Sequence, residues 1–368
     1  MPRRSRADAL PNEIGPGGAG SPALCLSDLV EPLGLAYGAA AVAAVAVGQA
    51  RWLAGGPTAF ALARLSATGA IVPVGDLPDR YHGALRRLTE GPQPWADLPV
   101  DRPLVMGVIN VTPDSFSDGG VHAQHDYAIA SARAMAEAGA DLVDVGGEST
   151  RPGSEPISPE REQARAIPVI RALAADGIVV SVDTRNAATM AAALDAGARI
   201  VNDVSGLTFD PDAAALLARR RCPVVLMHMR GVPATMQRLT DYGDLATDVT
   251  TELAARLAAA EQAGIRRADI ALDPGIGFAK GPGQNEELLA RLPMLLNLGC
   301  RLVVGVSRKG FIGRLAAEPE PGLRLPGSLA AGLLALLGGA SVLRVHDVAA
   351  TVQAVRVWSG IVGHARST

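Results

Sequence analysis

Residues 103–120 read PLVMGVINVTPDSFSDGG, an apolar run that stops at Asn110 and gives way to a polar loop closed by two glycines. Leu104, Val105, Met106, Val108 and Ile109 are too few for a helix and too uniformly apolar for a half-exposed strand. They read as a parallel strand covered on both faces, delivering Asn110 into a site. The loop that follows crowds Thr112, Asp114, Ser115, Ser117 and Asp118 around one aromatic, Phe116. Short oxygen-bearing side chains beside a ring suit a loop that meets anions, a metal and an aromatic ligand together.

Downstream of this strand, apolar runs alternate with amphipathic helical runs, the pattern of a parallel sheet with crossover helices. Strands are expected at 104–110, 141–145, 178–182, 200–204, 224–227, 270–272, 302–306 and 342–345. Helices are expected at 126–138, 159–175, 186–196, 211–220, 245–263, 285–298, 328–337 and 348–361. Eight strand-helix units in about 260 residues fit an α/β chain closed into a (β/α)8 barrel, here spanning 101–365.

Upstream, residues 1–23 carry arginines followed by Pro and Gly rather than an apolar core and cleavage site, and read as a disordered tail. Residues 24–100 form a small α/β region of their own, of unknown role. Within it, GLAYGAAAVAAVAVG at 34–48 is too short and too alanine-rich for a membrane span and reads as a packed helix. A GGPTAF turn follows at 55–60 and a helix at 79–90. Prolines at 92, 94, 99 and 103 mark a hinge or linker into the barrel. No catalytic constellation precedes Pro103.

The 48% hydrophobic content supports a sizeable core, and a net charge of -3 with mixed signs leaves no basic footprint for nucleic acid. Small molecules are the expected partners. Cys25, Cys222 and Cys300 are widely spaced and read as reduced thiols of a cytoplasmic protein.

Polar residues fall at the C-terminal ends of the expected strands, the end of such a barrel where catalysis occurs. Asn110 follows the first strand, Glu148 to Arg151 the second, Asp183 the third, and Asn202 with Asp203 end the fourth. His228 follows the fifth, Asp273 the sixth, Ser307 and Lys309 the seventh, with Arg344 and His346 at the eighth. Asp183 could instead cap the next helix. Lys309 could be a solvated surface lysine. Asp273 precedes Pro and Gly and has no cap to serve, so it points into the barrel mouth. Arg344 and His346 alternate with apolar neighbours and share one side of their strand, forming an anion site, unless Arg344 satisfies a carboxylate within the barrel. Gly275-Ile276-Gly277 fails the dinucleotide fingerprint because Lys280 stands where the third glycine is needed. His228 lacks partners at metal-ligand spacing and is left as a barrel-mouth residue.

Residues 103 to about 360 resemble the dihydropteroate synthases of folate biosynthesis. The likeness rests on NVTPDSFSDGG at Asn110, DVGGESTRPG at Asp144, SVDT at Ser181 and ND at Asn202. It continues through LDPGIGF at Leu272, SRKG at Ser307, RLPGS at Arg324 and RVHD at Arg344, in the family's order. The resemblance implies a TIM barrel and a transferase that joins 4-aminobenzoate to 6-hydroxymethyl-7,8-dihydropterin diphosphate, giving dihydropteroate and diphosphate. It implies pterin binding by Asp183, Asn202, Asp273 and Lys309, and diphosphate binding by Thr150, Arg151, Arg344 and His346. Asn110 would hold Mg²⁺, and Asn110, Lys309, Arg344 and His346 would be catalytic. Phe116, Pro152, Phe278 and Ser307 would line the aminobenzoate pocket, with Asp114 and Asp118 organising the first loop. A homodimer is implied as well. Arg230 stands where many members carry glutamine, a departure that removes no expected ligand. The competing readings are a pterin-dependent methyltransferase, which needs no diphosphate site, and a pterin-binding paralogue without turnover.

Overall fold

The structure, a computed structural model, describes residues 26–111, 121–149 and 156–363. The expected tail, the first loop with Asp114, Phe116 and Asp118, and Thr150, Arg151 and Pro152 of the second lie outside the described residues.

After a 3₁₀ turn at Leu26–Asp28, the described residues run through strand β1 (Val30–Ala36), helix α1 (Gly38–Ala46), and strands β2 (Arg51–Trp52), β3 (Ala59–Leu65) and β4 (Ile71–Pro73). These strands form an antiparallel sheet in the order β1-β3-β2, with β4 also on β3. The helix is shorter than the expected 34–48 because its first residues pair as strand, Leu35 with Phe60 and Ala36 with Ala59. Helix α2 (His82–Thr89) follows a short 3₁₀ turn at Asp79–Tyr81, close to the expected 79–90.

The barrel runs from β5 (Leu104–Asn110) through α3 (Val121–Glu137), β6 (Leu142–Gly146), α4 (Pro159–Ala175), β7 (Val180–Asp183), α5 (Ala187–Asp195), β8 (Ile200–Asp203) and α6 (Ala213–Arg220). It continues with β9 (Val224–Met227), α7 (Leu245–Gln262), β10 (Ile270–Asp273), α8 (Gln284–Ala290), β11 (Arg301–Val304), α9 (Gly310–Leu315), α10 (Leu325–Leu337), β12 (Val342–Val345) and α11 (Val348–Gly363). All eight strands are parallel and close by pairing of β12 with β5. This is a (β/α)8 TIM barrel. The single helix expected at 285–298 is divided: α8 ends at Ala290 and a 3₁₀ segment, Leu292–Leu298, continues with Pro293 near its start, where a proline ring cannot extend an α-helix.

Alternation decides which side chains meet. Leu104, Met106, Leu142, Ile200, Val225, Ala271, Val303 and Val342 face inward and fill the barrel's lower core together with Trp95 and Leu98. Alternate residues such as Val105, Val143, Val201 and Leu272 pack beneath the helices. The segment read as a linker is therefore a packed element. Trp95 is 1% exposed and its indole N–H donates to the Asp269 carbonyl at 3.0 Å, so this stretch plugs the barrel floor instead of hinging.

The N-terminal region docks on the 3₁₀ segment. Asn297 accepts from the Val30 N–H at 3.1 Å and donates to the Val30 carbonyl at 2.7 Å, extending the edge of β1 with a side-chain amide. Arg291 grips Glu31 with contacts of 2.7 and 3.1 Å. Leu29, Val30, Tyr81 and Leu88 are buried in the same apolar core as the barrel helices. Among the described residues no helix is long and apolar enough to cross a membrane.

Candidate active site

Counting upward by twos from the apolar floor gives the site. Leu142 leads to Asp144, Ile200 to Asn202, Ala271 to Asp273, Val342 to Arg344 and Met106 to Asn110, while Ser307, Lys309 and His346 follow the ends of β11 and β12. One strand face thus changes from apolar to polar as it approaches the C-terminal rim. Cross-strand register aligns Asn110 with Gly146, Gly146 with Asp183, and Asp183 with Asn202. A Cβ placed on Gly146 would lie 3.6 Å from the Asn110 Oδ1 and 3.5 Å from the Asp183 Cβ, so Asn110 and Asp183 flank that glycine.

At the centre stands Arg344. Its Nε donates to Asp144 Oδ2 at 2.7 Å and its Nη2 to Asp183 Oδ2 at 2.7 Å, while Asn202 Nδ2 donates to the same Asp144 oxygen at 2.9 Å. Asp144 Oδ1 is buried without a partner among the described residues, which leaves the carboxylate further acceptor capacity. Burial raises the Asp183 carboxyl above its ordinary range, Arg344 pulling it back and Asp144 pushing it further up. Burial also raises Asp273, against the opposing pull of Lys309. Lys309 is pushed down to about 8 by burial, with Asp273 resisting. Its Nζ donates to the Ile276 carbonyl and lies 5.0 Å from the centroid of Phe278. His346 Nδ1 is 3.1 Å from the Ser307 hydroxyl, which also accepts from the His346 N–H.

The site residues in the described part therefore converge: Asn110, Asp183, Asn202, Asp273, Ser307, Lys309, Arg344 and His346 share one end of the barrel. In this structure Arg344 is held by two barrel carboxylates, the alternative that the sequence left open. Asp203, grouped with Asn202 in the sequence, faces the other way and accepts from the Ser205 and Leu207 backbone N–H groups, shaping the turn after β8.

His228 is a correction. It lies on the opposite parity from Val225, so its ring leaves the barrel mouth and is buried toward α7. Its Nε2 sits 3.0 Å from Glu252 Oε2 and its Nδ1 3.1 Å from the Lys280 Nζ. Lys280 in turn donates to the Gly275 and Phe278 carbonyls, both at 3.0 Å, stapling the turn that follows Asp273. Burial lowers His228 to about 4 and Lys280 to about 7. Gly275 completes this turn: its φ is +67° and a Cβ would overlap the His228 carbonyl oxygen, so only glycine fits.

Sequence reasoning passed over Asp144 and Arg185. Asp144 had a visible signal, an acid two positions above a buried leucine in a covered strand. Arg185 forms a two-point pair with Glu148, both contacts 3.1 Å and both side chains 5% exposed, and stacks on Phe209 at 4.0 Å. That pair anchors the start of the second loop, since Glu148 also accepts from the Ile157 N–H at 3.2 Å.

The sequence profile of the family described as pterin binding enzyme matches residues 106–346, the barrel from its first strand to His346, just past the strand carrying Arg344. The dihydropteroate synthase of Synechocystis sp. is 48% identical over 257 residues, 70% of this chain and 89% of that protein. That of Escherichia coli is 45% identical over 261 residues, 71% of this chain and 92% of the other. The chain belongs to the dihydropteroate synthase family of pterin-binding enzymes. Solved family members superpose on the same barrel. The Xanthomonas albilineans dihydropteroate synthase with 4-aminobenzoic acid gives a TM-score of 0.67 at 48% identity, covering 71% of this chain and 93% of that one. The same enzyme in complex with 7,8-dihydropteroate gives 0.66 at 46% identity, covering 72% and 95%. The family match begins at residue 106, so the N-terminal sheet and the plug lie outside it.

Proposed function

We propose that this barrel catalyses the family reaction, the transfer of the dihydropterin methylene from diphosphate to the amino group of 4-aminobenzoate, as a step of folate biosynthesis. The observation that carries the reading is the convergence of Asp183, Asn202, Asp273 and Lys309 beside Arg344 at the C-terminal rim. A pterin presents a guanidine-like edge of donors, and acidic and amide acceptors at a buried site fix its orientation. Lys309, which follows the strand next to that of Asp273, supplies a donor to the ring's oxygen and nitrogen acceptors.

The carbon-oxygen bond to diphosphate breaks first, its electron pair leaving with the diphosphate, and the methylene cation is delocalised into the pterin. The arylamine lone pair then forms the carbon-nitrogen bond and its proton is released to diphosphate or solvent. No strong general base is needed. Donors that meet the departing diphosphate lower the barrier because its charge grows at the transition state. His346, with the expected Thr150 and Arg151, serves that end, and Arg344 joins when a ligand shares its guanidinium with Asp144 and Asp183. Ser307 and Phe278 line the side from which 4-aminobenzoate approaches, with Phe116 and Pro152 expected to complete the pocket.

Among the described residues no group of three or more acidic, His or Cys side chains is placed to hold a metal. Mg²⁺ commonly binds through one or two protein oxygens plus substrate phosphates. Asn110, a rim amide beside Asp183, fits such a single oxygen ligand. Mg²⁺ held there would neutralise diphosphate charge.

We assign the chain to the cytoplasm, in keeping with its free, buried Cys222 and Cys300. A homodimer is supported by the exposed apolar residues Leu334 on α10 and Val357 and Ile361 on α11, with size-exclusion chromatography as its check. The direct test of activity combines purified protein, Mg²⁺, the dihydropterin diphosphate and 4-aminobenzoate. Formation of dihydropteroate and diphosphate is expected, and its absence with folded protein would refute the assignment.

A further inference from the structure

The turn that follows β10 is held from the α7 side by two chains of polar contacts that the proposed reaction does not use. Both begin at Glu252 on α7. Its Oε2 lies 3.0 Å from His228 Nε2, and its Oε1 accepts from Arg230 Nε at 2.9 Å. Against its burial, those two partners hold the Glu252 carboxyl down at about 2, so it is an ionised acceptor and His228 Nε2 carries the proton. The other ring nitrogen, Nδ1, then accepts from Lys280, which is 3% exposed. The Lys280 ammonium has three N–H groups and three acceptors, His228 Nδ1 and the carbonyls of Gly275 and Phe278, all within 3.1 Å. The second chain runs through Arg230, stacked 3.7 Å from the centroid of the Tyr242 ring, to the Tyr242 hydroxyl, which donates to the Ala279 carbonyl at 2.7 Å. The two chains thus end on consecutive carbonyls, those of Phe278 and Ala279.

The backbone there needs such holding. Ala279 has a φ of +49°, a left-handed conformation that is unfavourable for a residue with a Cβ and persists where surrounding contacts impose it. Gly277 is left-handed as well, at +85°. Phe278 lies between these two residues, so the direction of its ring follows from their conformation. The ring packs against the buried cluster of Val204, Met227, Met229 and Met236 and lies 5.0 Å from Lys309 Nζ. Asp273, by contrast, is fixed by the sheet. It pairs with Met227 of β9, and its carbonyl accepts from the His228 N–H at 2.9 Å. Loosening the turn therefore moves Phe278 and leaves Asp273 in place.

We propose that Lys280 and Tyr242 are positioning residues for 4-aminobenzoate, acting through Phe278: they hold the turn 275–279 in the shape that sets its ring against the second substrate. This inference rests on the proposed reaction and on Phe278 lining the 4-aminobenzoate side.

Lys280→Met keeps a buried unbranched chain and removes its donors, and Tyr242→Phe removes one hydroxyl. Steady-state kinetics are recorded at pH 6, below the value of about 7 to which burial lowers Lys280. KM for 4-aminobenzoate should rise about tenfold in the first variant and about fivefold in the second, with KM for the pterin diphosphate within a factor of about two. A double-mutant cycle separates positioning from general packing. In a Phe278→Ala background, which lacks the ring through which both residues act, either change should raise KM for 4-aminobenzoate less than about twofold. Should Lys280→Met fail to fold, Tyr242→Phe carries the same cycle. Folded variants with an unaltered KM for 4-aminobenzoate, equal losses for both substrates, or losses undiminished without the Phe278 ring would each overturn the inference. Dihydropteroate formation by the unmodified protein is measured first. Its absence refutes the proposed reaction and this inference together, whereas its presence beside any of those results refutes this inference alone.

Discussion

Arg344 Nη2 and Asp183 Oδ2 lie 2.7 Å apart across the barrel mouth, and the same guanidinium holds Asp144 through its Nε. One cation thus holds two buried carboxylates. Arg344→Met would leave both without their partner, and removing one member of a buried ion pair typically costs about 3–5 kcal/mol. The urea midpoint of equilibrium unfolding should fall accordingly. Because the lost cation also permits the two acids to share a proton, the destabilisation should be smaller at acidic pH than at neutral pH. A midpoint matching the unmodified protein at neutral pH would show that the guanidinium is held weakly and is free to serve the diphosphate alone.

Asp273→Asn and Asn110→Ala should separate binding from turnover. Asp273 is proposed to bind the pterin, and on that proposal its amide variant should weaken pterin and pterin diphosphate alike, by the ~1–3 kcal/mol of an unpaired buried donor. Asn110 is the proposed ligand of metal and diphosphate, and on that proposal its loss should lower kcat about 10²-fold while pterin affinity stays within a factor of a few. His346→Ala should behave like Asn110→Ala. Calorimetry with pterin and steady-state kinetics on the three variants provide the comparison, and an Asp273→Asn protein that binds pterin normally would reassign that carboxylate to turn formation, since its Oδ1 accepts from the Gly275 N–H at 2.6 Å.

The barrel was legible because each strand is a short apolar run whose polar residue arrives on a fixed parity. The same parity, applied one step further, would have found Asp144 and would have turned His228 away from the mouth. The N-terminal sheet was not legible for local reasons. Strand β1 carries Pro32 and Gly34, residues that argue against a strand yet are tolerated here because, among the described residues, β1 is an edge and pairs only with β3. Strand β2 is two residues long. Glu252, His228 and Lys280 come together only in the fold, and no spacing along the chain announces a contact between residues 52 positions apart.

Trp95→Ala should unfold the molecule more readily, although nothing in the family match includes that residue. The indole is fully enclosed by the barrel's inner floor, and emptying a site of that size costs about 3–5 kcal/mol. A guanidinium denaturation curve with an unchanged slope and a lower midpoint is expected. Leu98→Ala, at 8% exposed, should cost less. If both variants unfolded with the unmodified protein, the stretch would have to be a loose linker after all.

Lys309 sets an alkaline limit on activity. Its ammonium is depressed from the ordinary 10.5 to about 8, chiefly by burial, and the charged form is the one proposed to donate to the pterin. Raising the pH through about 8 should therefore lower kcat/KM, which reports ionisations of the free enzyme. Stability moves the other way. A lysine harder to charge in the folded state than in the unfolded chain disfavours folding below its folded pKa, and that penalty fades as the pH climbs from about 8 towards 10.5. Lost activity in this window thus arises from a neutral amine and not from unfolding. Lys309→Arg, which keeps its charge at these pH values, should move the limb to higher pH even if its rate is lower overall. The pH profiles of kcat/KM for both proteins, recorded beside their urea midpoints, make the test. A limb that stays near pH 8 in the folded arginine variant would belong to another group.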